Sequence, residues 1–262
     1  MSRGSAERAV ERAIEVHSRQ AEGFAESYTR LEQDPYTSCF TYSRLRLERL
    51  LDAYLDRRQT GEALLDVGCG TGHHMRALRD RGFDVAGVDG SAAMLEHATA
   101  NNPGATVLLS GVDALPFADA SFDVVVCIEV LRYLPDPEAC LREMVRVLRP
   151  GGLCLATATP VANLNGYAAV NRIASTITMP ALTALRQYFT TPDRLGRQCA
   201  AAGFSSRRIH GVYLGPVNWV ERIAPTGALG PFLRRWEAVD DALADRPRLR
   251  GVTNMLLVAA ER

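Results

Sequence analysis

The stretch Leu64-Leu65-Asp66-Val67-Gly68-Cys69-Gly70-Thr71-Gly72 decides the fold of this chain. The run Ala63 to Val67 reads as a buried strand; glycine then stands at every second position, and a helix starts near His73. Glycines so spaced carry no Cβ, so the backbone can turn sharply and approach a ligand at a helix N-terminus. The dinucleotide fingerprint needs G-x-G-x-x-G, but here the third glycine comes one residue early and His73 stands where Gly is wanted, which disfavours NAD. A phosphate-gripping P-loop is excluded, because the chain has no G-x-x-x-x-G-K-[ST] and no lysine at all.

Downstream, apolar runs alternate with helical stretches, the signature of βαβ units and a parallel sheet. Strands are expected at Ala63 to Val67, Asp84 to Val88, Thr106 to Ser110, Phe122 to Ile128 and Gly152 to Ala158, with two more at Ser206 to Tyr213 and Asn254 to Ala259. Helices are expected at His73 to Arg81, Ser91 to Asn101, Asp136 to Leu148 and, from the Pro at its first turn, after Thr191-Pro192. The unbroken apolar run Phe122 to Ile128 predicts a strand covered on both faces at the centre of the sheet. Asp89 closes the second strand at the distance where an acidic residue meets ribose hydroxyls in nucleotide-binding units; it or Ser91 could equally cap the next helix.

The first sixty residues form a helical prefix: Ala9, Ala13, Val16, Phe24 and Tyr28 share one face, and Thr41 to Leu55 carries Leu45, Leu47, Leu50, Leu51, Tyr54 and Leu55. Residues 61–160 make the cofactor-binding core, 161–190 a helical cap insertion, 191–213 a core helix and strand, 214–250 a second insertion with Trp219 and Trp236, and 251–262 the last strand. Insertions after the fifth and sixth strands lie at the carboxyl edge, where open α/β sheets bind ligands. Formal charge is zero at a pI near 7, so no overall basic field draws the chain to nucleic acid. Neither a signal-type apolar region nor a membrane-spanning run is present, and a cytoplasmic location is expected. Six scattered cysteines with no C-x-x-C read as reduced core residues, with no metal site.

The run Asp66 to Gly72 resembles motif I of the class I S-adenosylmethionine-dependent methyltransferases. Leu115-Pro116-Phe117, Ser121-Phe122-Asp123 and Leu148-Arg149-Pro150-Gly151-Gly152 resemble further landmarks of the branch that includes ubiquinone- and menaquinone-pathway enzymes. The resemblance covers about Leu64 to Ala158. It implies a Rossmann-like α/β fold, a doubly wound, mostly parallel seven-stranded sheet, with S-adenosyl-L-methionine as cofactor. It places Asp66, Gly68, Cys69, Gly70 and Gly72 around the amino-acid end of the cofactor, Asp89 and Gly90 at the ribose, and Tyr28 at the methionine part. Cys127 counts among the cofactor positions, although its place inside a strand reads as core. Where the branch has an adenine-binding Asp this chain has Gly111, so either Asp113 takes that contact or backbone around Val112 does.

Methyl transfer from a sulfonium needs alignment and water exclusion more than a nucleophile motif. A hydroxyl or ammonium acceptor must lose its proton, and a positioned base adds about 10²–10⁴-fold. Glu129 and Tyr133, after the fourth strand, are the favoured acceptor contacts; His73, with His74, is the first imidazole to consider, and His210 reads as structural. The sequence Ile128-Glu129-Val130-Leu131 lacks the [DN]-P-P-[FYW] of amino-methylating DNA enzymes. The expectation is O-methylation of a small or hydrophobic acceptor, in specialised natural-product metabolism, with N- or C-methylation and a cofactor-binding scaffold as alternatives.

Overall fold

The computed structural model describes residues 3–23, 33–166, 169, 187–215, 217–225 and 227–262. Seven strands, β1 (Ala63–Val67), β2 (Asp84–Asp89), β3 (Thr106–Leu109), β4 (Phe122–Cys127), β5 (Leu148–Ala158), β6 (Ser206–Gly211) and β7 (Leu256–Glu261), form one sheet in the order β3-β2-β1-β4-β5-β7-β6. Neighbours from β3 to β5 are parallel, and β7 runs antiparallel between β5 and β6. The central strand is β4, as its apolar run predicts.

Period-two alternation sends successive side chains to opposite faces, which splits the core into two layers. On one face Leu64, Val124, Val126 and Leu155 pack beneath α2 (Cys39–Leu55), α3 (His73–Asp80) and α8 (Leu229–Leu243). On the other, Leu65, Val67, Val125 and Cys154 meet α5 (Glu138–Val147) and α6 (Pro192–Ala202). Helix α4 (Ala92–Asn101) packs beside α3 and also meets α1 (Arg3–Arg19), while α7 (Val217–Ile223) precedes α8. All six cysteines are buried and unpaired as disulfides. No helix among the described residues is long and apolar enough to cross a membrane.

Several boundaries differ from the sequence reading. The fifth strand begins at Leu148, four residues early, with a register shift opposite Phe122/Val124 and Gly151 at φ +76 absorbing the irregularity. The last strand starts at Leu256 because Thr253 and Asn254 are taken up by the preceding turn, their side chains donating to Arg250 O (2.7 Å) and Gly215 O (2.7 Å). On α2, Arg44 and Arg46 are buried whereas Leu45 is only half-buried. Arg46 turns inward because α2 packs against α8 as well as the sheet: Tyr42 donates to Asp240 (2.5 Å) and Arg46 pairs with Asp241 (2.6 Å), while the Arg44 guanidinium lies over the Phe40 ring at 5.3 Å. Most of the helical insertion expected from Val161 to Phe189 lies outside the described residues, as do Phe24 and Tyr28; residues 161–166 are turns.

Candidate active site

The chain leaves β1 towards β2 and β3 on one side and returns through β4 on the other, so the carboxyl ends of β1 and β4 mark the topological switch point where such sheets bind ligands. A cavity of about 1230 Å³ opens there. One end is lined by the glycine loop, the ends of β2 and β3 and the inner face of α1; the other by the turn after β4, α2, α7 and the loop after β5.

The glycine loop is held by β2: the amides of Gly68 and Cys69 both donate to Val88 O, at 2.7 and 2.9 Å. Gly68, Gly70 and Gly72 all take positive φ (+77, +55 and +76), a region that other L-residues enter only at about 1–2 kcal/mol. Their environments differ. A Cβ on Gly70 would meet nothing within 4 Å, so that amide edge faces open cavity. A Cβ on Gly68 would strike the Val130 side chain, and one on Gly72 would lie 2.9 Å from the Ala98 backbone. Gly72 does not line the cavity; it is the helix-packing glycine of the three.

Asp66 ends in the cavity wall almost fully buried, and its Oδ2 has no hydrogen-bond partner. Burial, then the neighbouring Asp89, pushes its carboxyl up to about 7. Asp89 accepts from the Gly70 amide (3.0 Å) with one oxygen and from the Ser91 amide (2.8 Å) with the other. Ser91 itself caps α4, accepting from Met94 N at 3.2 Å. Asp89 therefore braces the glycine loop and feeds the cap, and its carboxylate oxygens keep further lone pairs for a ligand. Gly90, Val112 and Asp113 also line the cavity. Gly111 lies close under Asp113, since a Cβ there would stand 2.8 Å from Asp113 Oδ1.

At the other end Glu129 sits at φ +64, unusual for a residue with a side chain. Its amide donates to the buried Thr157 hydroxyl at 2.6 Å, and its carboxylate pairs with Arg132. Burial opposes the charge of Glu129, but Arg132 and Arg44 outweigh it and hold the carboxyl below its ordinary range. Arg132 also donates to Gln187 (2.7 Å), while its carbonyl takes the Tyr188 amide (2.8 Å). Residues 187–188 are thereby tied to the turn after β4. Phe40, Tyr213, Met255 and Trp219 supply apolar and aromatic surface.

Of the residues singled out in the sequence, Asp66, Gly68, Cys69, Gly70, His73, Asp89, Gly90, Val112, Asp113, Glu129 and Tyr133 all reach this cavity. Cys127 does not: it is fully buried against Cys140, its thiol pushed up first by that hydrogen bond and then by burial. His74 has its pKa pushed down to about 3, by desolvation first and then by Arg44 and His73, which keeps it neutral. His210 lies on β6 between Tyr54 (2.6 Å) and Asp245 (2.8 Å), away from the cavity. The sequence reading missed Arg44, Asn165 and His17. His17 stands one turn after Ala13, on the helix face already marked as apolar, and that spacing was the available signal.

Fold and cavity define a nucleotide-type cofactor-binding protein of the doubly wound α/β class, built around a glycine loop with an acidic floor. The family description "Methyltransferase domain" matches residues 65–156. The chain is 31% identical over 173 residues to a ubiquinone biosynthesis O-methyltransferase of Pseudomonas fluorescens, covering 63% of this chain and 74% of that protein. It is 38% identical over 108 residues to a malonyl-[acyl-carrier protein] O-methyltransferase of Serratia marcescens, 41% of this chain but only 42% of that enzyme's length. A Thermotoga maritima S-adenosylmethionine-dependent methyltransferase, described as a possible histamine N-methyltransferase, superposes with a TM-score of 0.62 at 18% identity, covering 94% of this chain and 98% of that one. The chain belongs to the class I S-adenosylmethionine-dependent methyltransferases.

The site fits that cofactor. The buried Asp66 oxygen lacks a partner that a cation would supply, Gly70 leaves space where a Cβ would intrude, and Asp66, Asp89 and Asp113 set a negative field suited to a sulfonium. S-adenosylmethionine, when bound, supplies the electrophilic methyl group; the chain's residues supply binding, alignment and exclusion of water.

Proposed function

We propose that this chain methylates a hydroxyl of a small, apolar, ring-bearing acceptor. The observation that carries the reading is the one cavity, among the described residues, that joins the glycine loop to Glu129, Tyr133, Phe40, Tyr213 and Trp219, so that acceptor and cofactor can share one space. Relatives named for ubiquinone biosynthesis O-methylation support oxygen as the acceptor atom. In this reading Asp89 and Gly90 hold the ribose, Asp113 or backbone at Val112 holds adenine, and Glu129 and Tyr133 touch the acceptor. Residues 161–190 and 214–250 cover the acceptor end, with the prefix 1–60 over the cofactor. A cytoplasmic role in specialised metabolism, without nucleic-acid or membrane partners, accompanies it.

The test incubates the full chain with S-adenosylmethionine and parallel panels of catechols, phenols and amines, scored by S-adenosylhomocysteine formation. Turnover concentrated in the catechol and phenol panels is expected, and turnover of amines alone overturns the hydroxyl reading. A second reading, a cofactor-binding scaffold without catalysis, draws support from Gly111 standing in place of the usual adenine-binding Asp. Tight homocysteine-adduct binding with no turnover in any panel would favour it.

A further inference from the structure

Helix α1 presents Val10, Ala13, Ile14 and His17 to the cavity from one face. The helix is fixed there: Ile14 lies against Gly90, where a Cβ would come within 2.8 Å of its Cδ1, and Ser18 Oγ lies 2.7 Å from Ser91 Oγ. His17 Nδ1 lies 2.7 Å from Ala13 O, one turn back. A carbonyl oxygen can only accept, so the proton of neutral His17 belongs on Nδ1 and the lone pair on Nε2, at the ring edge turned away from the helix. That ring meets Tyr133 edge-on, with centroids 4.7 Å apart at 71°. His17 also lies within electrostatic reach of two carboxyl groups, Asp89 at the cofactor end and Glu129 at the acceptor end.

We propose that His17 is the general base that accepts the proton of the acceptor's hydroxyl. The inference rests on the hydroxyl reading above. The acceptor O–H proton passes to His17 Nε2 as the oxygen forms its bond to the methyl carbon; the carbon–sulfur bond breaks and its electron pair stays on sulfur. The imidazolium so formed lies within electrostatic reach of Asp89 and Glu129, whose negative charge favours it. Glu129 is a poorer base, since its carboxylate is paired with Arg132 and held below its ordinary range. His74 has its lone pair weakened by a pKa near 3. Tyr133 positions the imidazole through its ring edge.

The experiment has two arms. In the first, the full chain carrying ¹⁵N-labelled histidine and saturated with S-adenosylhomocysteine is observed by NMR at mildly alkaline pH, with His17 identified by its loss in His17→Asn. The proposal expects the Nδ1–H tautomer, and an Nε2–H tautomer overturns it whatever the acceptor proves to be. In the second arm catechol is the probe acceptor. His17→Asn keeps a donor near Ala13 but loses Nε2, and should lower kcat by about 10²–10⁴-fold, far more than it lowers homocysteine-adduct affinity. His17→Ala should regain turnover with added imidazole. Turnover surviving His17→Asn within about threefold overturns the base role alone. Turnover of amines but not of this probe overturns the hydroxyl reading, and the base role with it.

Discussion

The two ends of the cavity are built by different means. The glycine-loop end, proposed for the cofactor, comes largely from short contiguous pieces, Asp66 to Thr71, Asp89 to Gly90 and Ser110 to Asp113, whose backbone conformation and amides form the surface. The acceptor end is assembled from side chains far apart in sequence, among them Phe40, Arg44, Glu129, Tyr213 and Trp219, on elements that meet only through the fold. Backbone-built surface tolerates little change in residue type, because its shape depends on φ and on absent Cβ atoms. A surface of side chains can be refitted by substitution, which is how one fold serves many acceptors.

The sharpest way to break that contrast is to add Cβ atoms to the loop. Gly68→Val combines left-handed strain of about 1–2 kcal/mol with overpacking against Val130 of about 1–3 kcal/mol, so the fold should lose roughly 2–5 kcal/mol. At about 2–4 °C per kcal/mol, melting should fall by roughly 4–20 °C, and Val130→Ala should restore part of it. Gly70→Val meets no neighbour within 4 Å, so only the strain is expected on the fold while homocysteine-adduct affinity drops about 100-fold or more. Calorimetry and scanning melts on both variants decide. If Gly68→Val melts like the wild type, Val130 does not close the underside of the loop.

Asp66→Asn gives the next largest effect, visible without any acceptor. The folded carboxyl titrates near 7, against roughly 3.9 in an unfolded chain, so the unfolded state ionises first as pH rises. The stability that the neutral group retains is complete below about pH 4, declines through the interval and is gone above about pH 7, a difference of roughly 4 kcal/mol. The ligand-free Asp66→Asn protein should therefore melt higher than wild type at pH 8 and equally at pH 4, while its cofactor affinity is lower. A variant that melts lower at pH 8 would show that the buried oxygen is stabilised in the free protein.

Arg132→Gln is the mildest and tests the opposite end. It removes the Glu129 ion pair and disturbs the Gln187 contact, for about 1–3 kcal/mol of stability. Cofactor-product affinity should stay within about twofold while kcat/KM for the acceptor falls about 10–100-fold. An equal loss at both ends, read by calorimetry beside steady-state kinetics, would mean that the two halves are mechanically one.

The same division governs what the sequence disclosed. Strand and helix periodicity, the glycine spacing and the acidic residue closing β2 are local properties, so the sheet, its centre and the position of the glycine loop and Asp89 at the carboxyl edge were readable from the chain alone. Even so, the reasons for two glycines came only from packing: Gly68 clears Val130, and Gly72 clears Ala98 on α4. Tertiary structure decided between the two readings of Cys127, placing it in the core, and it alone turned Arg46 inward towards α8 and Arg44 towards the cavity. It also brought His17 across the sheet to Tyr133, more than a hundred residues away in sequence. No periodicity encodes such a meeting. Local conformational preference is written in neighbouring residues, whereas the acceptor end depends on how α1, α2, α7 and the turn after β4 converge once the two apolar layers have closed over the sheet.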